Sequence, residues 1–211
     1  NFITLVDNAL WSCYTHLISF RNEVFSMSTL APASHAKVLD LAYIALMAAL
    51  IALCTWLSIP LGPIPFTMQT FAIFTALGLL GGRRGTIAVA VYLLLGLVGL
   101  PVFSGFSAGP AALLGPTGGY LLGFLATALL YWAVTAKWGS SAKVMTLALL
   151  LGLVVCYAFG TIWFLQVYTG GGQNATLLGA LGLCVFPYVI PDLCKLALAL
   201  LVSRRVGRYL R

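Results

Sequence analysis

Charge is what this sequence has least of: 7% of its 211 residues are Asp, Glu, Lys or Arg, while 62% are hydrophobic. A soluble domain carries roughly 25% charged residues. A water-facing surface cannot be built from so few, so lipid must cover most of the chain. Its length allows five to seven spans of about 20 residues with short connections, and no large soluble domain beside them. Acidic side chains are scarcer still, four against eleven basic ones, for a net charge of +7. In a soluble protein that excess would suggest nucleic acid. Here the bases flank apolar runs and form no stripe interleaved with aromatics, which argues against a nucleic-acid partner. The two histidines, His16 and His35, are isolated and outside the apolar runs. The five cysteines, at 13, 54, 156, 184 and 194, include no CxxC pair and point to neither a metal site nor a disulfide framework. Cys54, Cys156 and Cys194 lie inside apolar runs, where a thiol behaves as a small hydrophobe. No GxxxxGK[ST] occurs, and GPTGG at 115–119 lacks the lysine that would reach a phosphate. Without HExxH or a GxSxG elbow, the chain has neither a nucleotide motor nor a hydrolytic centre. It reads as no enzyme and needs no cofactor.

What is present is a series of apolar runs with clear punctuation. Residues 1–26 mix Asp7, Arg21 and Glu23 with aromatics, reach no spanning length and lack the pattern of a secretory signal. Met27 opens an ordinary lead-in, and the functional chain is expected to begin near it. Runs occur at about 38–58, 66–82, 86–100, 119–137, 144–168 and 185–203. The division is therefore an N-terminal segment 1–37, a six-helix membrane domain 38–205 and a basic tail 206–211. Lys37 precedes the first run, Arg83 and Arg84 join the second and third, and Lys137 and Lys143 join the fourth and fifth. Arg204, Arg205, Arg208 and Arg211 come after the sixth. The alternate loops 59–65, 101–118 and 169–184 carry no charge at all. Basic residues concentrate on the cytoplasmic side. The expected fold is an all-α membrane protein of six transmembrane helices with both termini cytoplasmic. The second and third runs are short of about 20 residues, and the uncharged loops are long, glycine-rich and apolar. Irregular backbone at membrane depth must be buried in protein or line a cavity, so these loops are expected to fold inward over an outward-facing pocket.

Asp192 and Lys195 are the one ionisable pair well inside a run, in PYVIPDLCKLALALL. A charge within a membrane helix is costly and marks a functional site by default, and a spacing of three puts both on one helix face. A self-satisfied ion pair that pins the helix to its neighbours is the structural alternative. A carboxylate only accepts and an ammonium only donates. Together they suit a neutral ligand with an N–H beside a carbonyl, such as an amide, lactam or urea. A second feature is the run of small residues Ala45, Ala48, Ala49 and Ala52, at spacings that let membrane helices approach closely. It serves either packing within the chain or docking of another membrane subunit.

PFTMQT at 65–70, YLLLGLVGLPVF at 92–103, LLGPTGGYLLGF at 113–124 and PYVIPDLCK at 187–195 resemble the BioY family, the biotin-specific S components of energy-coupling factor (ECF) vitamin transporters. The resemblance runs from about residue 38 to 205. It implies a multi-pass protein of the bacterial plasma (inner) membrane that captures biotin from outside for uptake. Its implied partners are an ECF transmembrane coupling subunit and two ATPase subunits, which supply the energy. Asp192 and Lys195 match the family's acid and lysine, which contact the biotin head group. The family usually has glycine where this chain has Pro191, so the helix is expected to start there with a stiffened loop. Biotin's fused bicycle and valeryl chain are apolar enough for a pocket lined by Phe66, Tyr92 and Tyr120, with Gln69 and Thr117 as further polar contacts. The resemblance also moves the alanines toward the docking role. An S component for another vitamin, or a small membrane enzyme, remain the rival readings.

Overall fold

The structure is a computed structural model that describes residues 32–60, 64–170 and 176–207. The expectations for the segment before Met27 and for Arg208 and Arg211 lie outside the described residues. The chain divides into two units, Asn1–Ala42 and Tyr43–Arg211. The first contributes, among the described residues, the opening of helix α1; the rest of α1 and every later element belong to the second.

The described residues are almost entirely helical. Helix α1 (Pro32–Trp56) leads to a two-residue strand β1 (Ser58–Ile59) paired antiparallel with β2 (Phe66–Thr67). Helices α2 (Gln69–Val98), α3 (Gly109–Leu114), α4 (Gly118–Trp138), α5 (Ala142–Gly170), α6 (Leu177–Cys184) and α7 (Phe186–Val206) come next, in that order. Five of them, α1, α2, α4, α5 and α7, are long and apolar enough to cross a membrane. Side chains such as Leu46, Leu53, Leu147, Val154, Ile162, Leu198 and Leu201 are exposed around them. That is unfavourable in water and suited to lipid.

The 30 residues of α2 do not form one rod. Gly81 takes φ 78° and ψ 178°, a conformation essentially confined to glycine. In a straight helix, residues eight apart are about 12 Å apart along the axis. Here a Cβ added to Gly85 would sit 2.9 Å from the Cα of Leu77, so the chain doubles back at Gly81. The expected runs 66–82 and 86–100 correspond to these two arms, with Arg83 and Arg84 exposed just after the bend. Glycine also brings α4 and α5 together. A Cβ on Gly123 would meet the Cα of Cys156 at 3.2 Å, and one on Gly152 would meet Thr127. The Thr127 hydroxyl uses that proximity to donate to the Gly152 carbonyl at 2.7 Å.

The uncharged loops carry more structure than their composition suggests. A turn of 3-10 helix (Ser104–Phe106) and α3 occupy the loop before α4, and α6 occupies much of the one before α7. Trp56 holds the former by donating its indole N–H to the Pro101 carbonyl at 2.9 Å and packing on Phe106.

Candidate ligand-binding site

The site begins with a proline-shaped helix start. Val185 caps α7 and Pro187 sits in its first turn, where a missing N–H costs nothing. Pro191, expected to open the helix, instead lies inside it. The correction has a physical reason: Pro187 already supplies the favoured first-turn proline, one turn earlier. Pro191 then cannot donate to the Pro187 carbonyl, and the helix carries this gap immediately before Asp192.

Asp192 and Lys195 are each 4% exposed. The Lys195 ammonium donates to Asp192 Oδ1 at 2.8 Å and to the Thr67 carbonyl on β2 at 2.6 Å. It also stands 3.8 Å from the centroid of the Phe66 ring, a distance at which a cation is attracted by the aromatic face. Asp192 Oδ1 accepts a second bond from Thr70 Oγ1 at 3.0 Å, and Oδ2 accepts one from the Tyr157 hydroxyl at 2.6 Å. The two charges thus tie α7 to β2, α2 and α5 at once. An ionised carboxylate has about four lone-pair sites; three are used here, leaving one on Oδ2.

This cluster lines a cavity of about 270 Å³. Gln69, Thr117, Tyr120, Asp192 and Lys195 face it, together with Thr70, Phe103, Ser107, Tyr157 and Tyr188. The uncharged loops therefore do contribute to the wall, through Ile64 and Pro65, through Phe103, Ser104 and Ser107, and through Cys184. Two of the expected contacts stand behind the lining. Phe66 stacks on Tyr188 at 6.3 Å and backs Lys195. Tyr92 is fully buried, and its hydroxyl receives the Gln69 Nε2 proton at 3.0 Å while itself reaching the Val102 carbonyl at 3.4 Å. With Nε2 so committed, Gln69 has its amide oxygen to offer. Tyr157, Thr70 and Tyr188 were missed by sequence reasoning. Thr70 sits in PFTMQT beside Phe66 and Gln69, but Tyr157 is one tyrosine in an apolar run and carries no local signal.

The alanines do not share one surface. Ala48 and Ala52 are buried in the core, at 2% and 9% exposure, whereas Ala45 and Ala49 are exposed. The reason is helical phase: 45 and 49 form one i, i+4 row and 48 and 52 the neighbouring row. No group of three or more His, Cys, Asp or Glu that could hold a metal ion occurs among the described residues.

Comparison with known proteins points to one family. The family model described as BioY matches residues 27–211. The biotin transporter BioY of Thermotoga maritima is 41% identical over 160 residues, covering 76% of this chain and 90% of that protein. The probable biotin transporter BioY of Pyrococcus horikoshii is 36% identical over 171 residues, or 81% and 97% of the two chains. A crystal structure of the S-component for biotin from an ECF-type ABC transporter superposes with a TM-score of 0.73 at 32% identity, over 82% of this chain and 93% of that one. The match of sequence, fold and ordered motifs along nearly the whole chain establishes that it belongs to the BioY family.

Proposed function

We propose that this chain is the biotin-capturing S component of an ECF-type transporter in the bacterial plasma membrane, a transport protein and not an enzyme. The observation that carries the reading is the buried Asp192–Lys195 pair facing the cavity. Biotin's ureido ring presents two N–H donors and one carbonyl oxygen. The unused lone pair of Asp192 Oδ2 and the Gln69 amide oxygen accept the former. The third ammonium proton of Lys195 exchanges the weak Phe66 face for the carbonyl. Tyr120 and Phe103 flank the apolar bicycle, and Thr117 and Ser107 edge the far part of the cavity.

The chain crosses the bilayer six times, the two arms of α2 counting separately, with both termini cytoplasmic. The reversal at Gly81 and the uncharged alternate loops support that reading. Cysteines placed at Ser107 and at Arg84 in a cysteine-free background test it. The first reacts with an impermeant thiol reagent in intact cells, and labelling of the second would overturn the orientation.

As the S component of an ECF-type transporter, the chain would draw its energy from two separate ATPase subunits through a membrane coupling subunit, which accords with its lack of a nucleotide motif. The exposed Ala45 and Ala49 offer a face close enough for helix contact with that subunit. The decisive experiment measures radiolabelled biotin binding to purified protein, then uptake with and without the coupling subunits. Lack of biotin binding by monodisperse protein would defeat the proposal.

A further inference from the structure

Among the described residues, the cavity contains a charged anchor for one end of a ligand and nothing cationic for the other. Between Tyr43 and Gly207 the charged residues are Arg83, Arg84, Lys137, Lys143, Asp192, Lys195, Arg204 and Arg205. Among the described residues, only Asp192 and Lys195 line the cavity. The remaining six cluster at the opposite helix ends. Lys137 is in the last turn of α4, some 20 residues, or about 30 Å of helix, from the Thr117 end that borders the cavity. Lys143 opens α5, about 21 Å of helix before Tyr157, and Arg204 lies about 14 Å of helix beyond Lys195. The segments 61–63 and 171–175 hold no Lys or Arg either.

Lys195 itself is a poor partner for a ligand anion. Its charge is matched by Asp192 Oδ1 at 2.8 Å, and it is further held by the Thr67 carbonyl and the Phe66 ring. A carboxylate brought to Lys195 would also be brought against the carboxylate of Asp192, and like charges in a desolvated site repel strongly. The anchor is net neutral and selects a neutral polar head.

We infer that this site recognises the ureido bicycle alone and is indifferent to the charge of the acyl tail, so that its substrate class extends to biotin derivatives whose carboxylate is capped as a neutral amide. The inference rests on the proposed biotin-binding function. It makes the loop wall of the cavity, with Ser104 and Ser107 and, among the described residues, no cation, a neutral tail subsite.

The test is competition against radiolabelled biotin on the full chain in lipid nanodiscs at pH 7.5, with biotinamide as the probe. Biotinamide is expected to bind within about threefold of biotin, and any difference below tenfold upholds the inference. A loss of tenfold or more, the size expected when a charge-assisted contact is removed, would overturn it and show that a cation meets the tail. If biotin itself fails to bind, the proposed function falls and this inference with it, whereas good biotin binding with poor biotinamide binding sinks the inference alone. A second variant checks the same point in the other direction. Ser107→Arg, at an exposed loop position lining the cavity, is expected to give biotin an advantage of about tenfold over biotinamide. No gain in this variant, if it elutes monodisperse and binds biotin, would show that the tail does not reach the outer loop and would equally overturn the assignment.

Discussion

The two ends of α7 treat polar side chains in opposite ways. Near its start, Asp192 and Lys195 are buried and each makes two or more hydrogen bonds within the protein, to groups from β2, α2 and α5. Near its end, Ser203 is 6% exposed and its hydroxyl has no partner, alone among the buried side-chain polar atoms described. The cations there, Arg204 and Arg205, are exposed. Ser203 lies where it does because Gly78 leaves room for it: a Cβ on that glycine would meet the hydroxyl. The difference teaches that polarity at one end is wired into a network at a cavity wall and at the other is a by-product of close helix packing.

The largest expected effect comes from dismantling the assembled end. Asp192→Ala and Lys195→Ala should each weaken biotin by at least ten- to two-hundredfold, the value of a hydrogen bond to a charged group. Lys195→Ala should be the worse, since it strands a buried carboxylate. Titration of monodisperse protein reads both, and wild-type affinity in either would make the pair merely structural. Desthiobiotin, which keeps the ureido ring, should still compete, and lipoate, which lacks it, should compete poorly. A smaller loss is expected for Tyr157→Phe, which removes the 2.6 Å bond to Asp192 Oδ2. About tenfold weaker binding, with an unchanged elution profile, would mark Tyr157 as holding the acceptor in place.

The smallest effects should differ in sign between the two ends. Thr70→Val removes a donor to a buried carboxylate, about 1.5 kcal/mol or more, and should lower Tm in detergent by about 5 °C. Ser203→Ala removes a hydroxyl that is buried without a partner and should raise Tm by about 2 °C. A fall in Tm for Ser203→Ala would mean that the hydroxyl is satisfied in the membrane, and the contrast between the ends would disappear. Ala45→Trp extends the comparison to the outer surface. It should leave biotin binding intact and abolish ATP-driven uptake if that face meets the coupling subunit, and equal loss of binding would place the residue in internal packing.

The long helices were legible because each needs a run of apolar residues between charges or breakers, although α1 begins at Pro32, ahead of the run expected at 38–58, and α2 begins at Gln69. Even the reversal inside α2 was visible as Gly81-Gly82-Arg83-Arg84. The short elements were not. Helices α3 and α6 and the β1–β2 pair are too short to show a periodicity, and helices of that length are held by tertiary contact and not by propensity. Asp192 and Lys195 stood out because a charge in an apolar run is rare. Their partners did not: Thr70 and Tyr157 are 122 and 35 residues away from Asp192 in the chain, and nothing local announces a contact made only by folding. Tyr92 reads as a wall residue from its sequence because aromatic character says nothing about depth; its burial behind Gln69 is a matter of helix phase and loop position.

The bonds from Asp192 and Lys195 to Thr70 and Thr67 also bear on how a ligand held by that pair would be released. A site wired in advance needs little ordering when a ligand arrives, and differences in affinity between related complexes reside mostly in departure. Departure can then be hastened by displacing one element. Any motion that draws the start of α7 away from the β2–α2 junction parts Lys195 from Thr67 and Asp192 from Thr70 together. The pocket would lose the donor and the acceptor carried by α7 in a single step, and a pull on one helix would loosen the ligand.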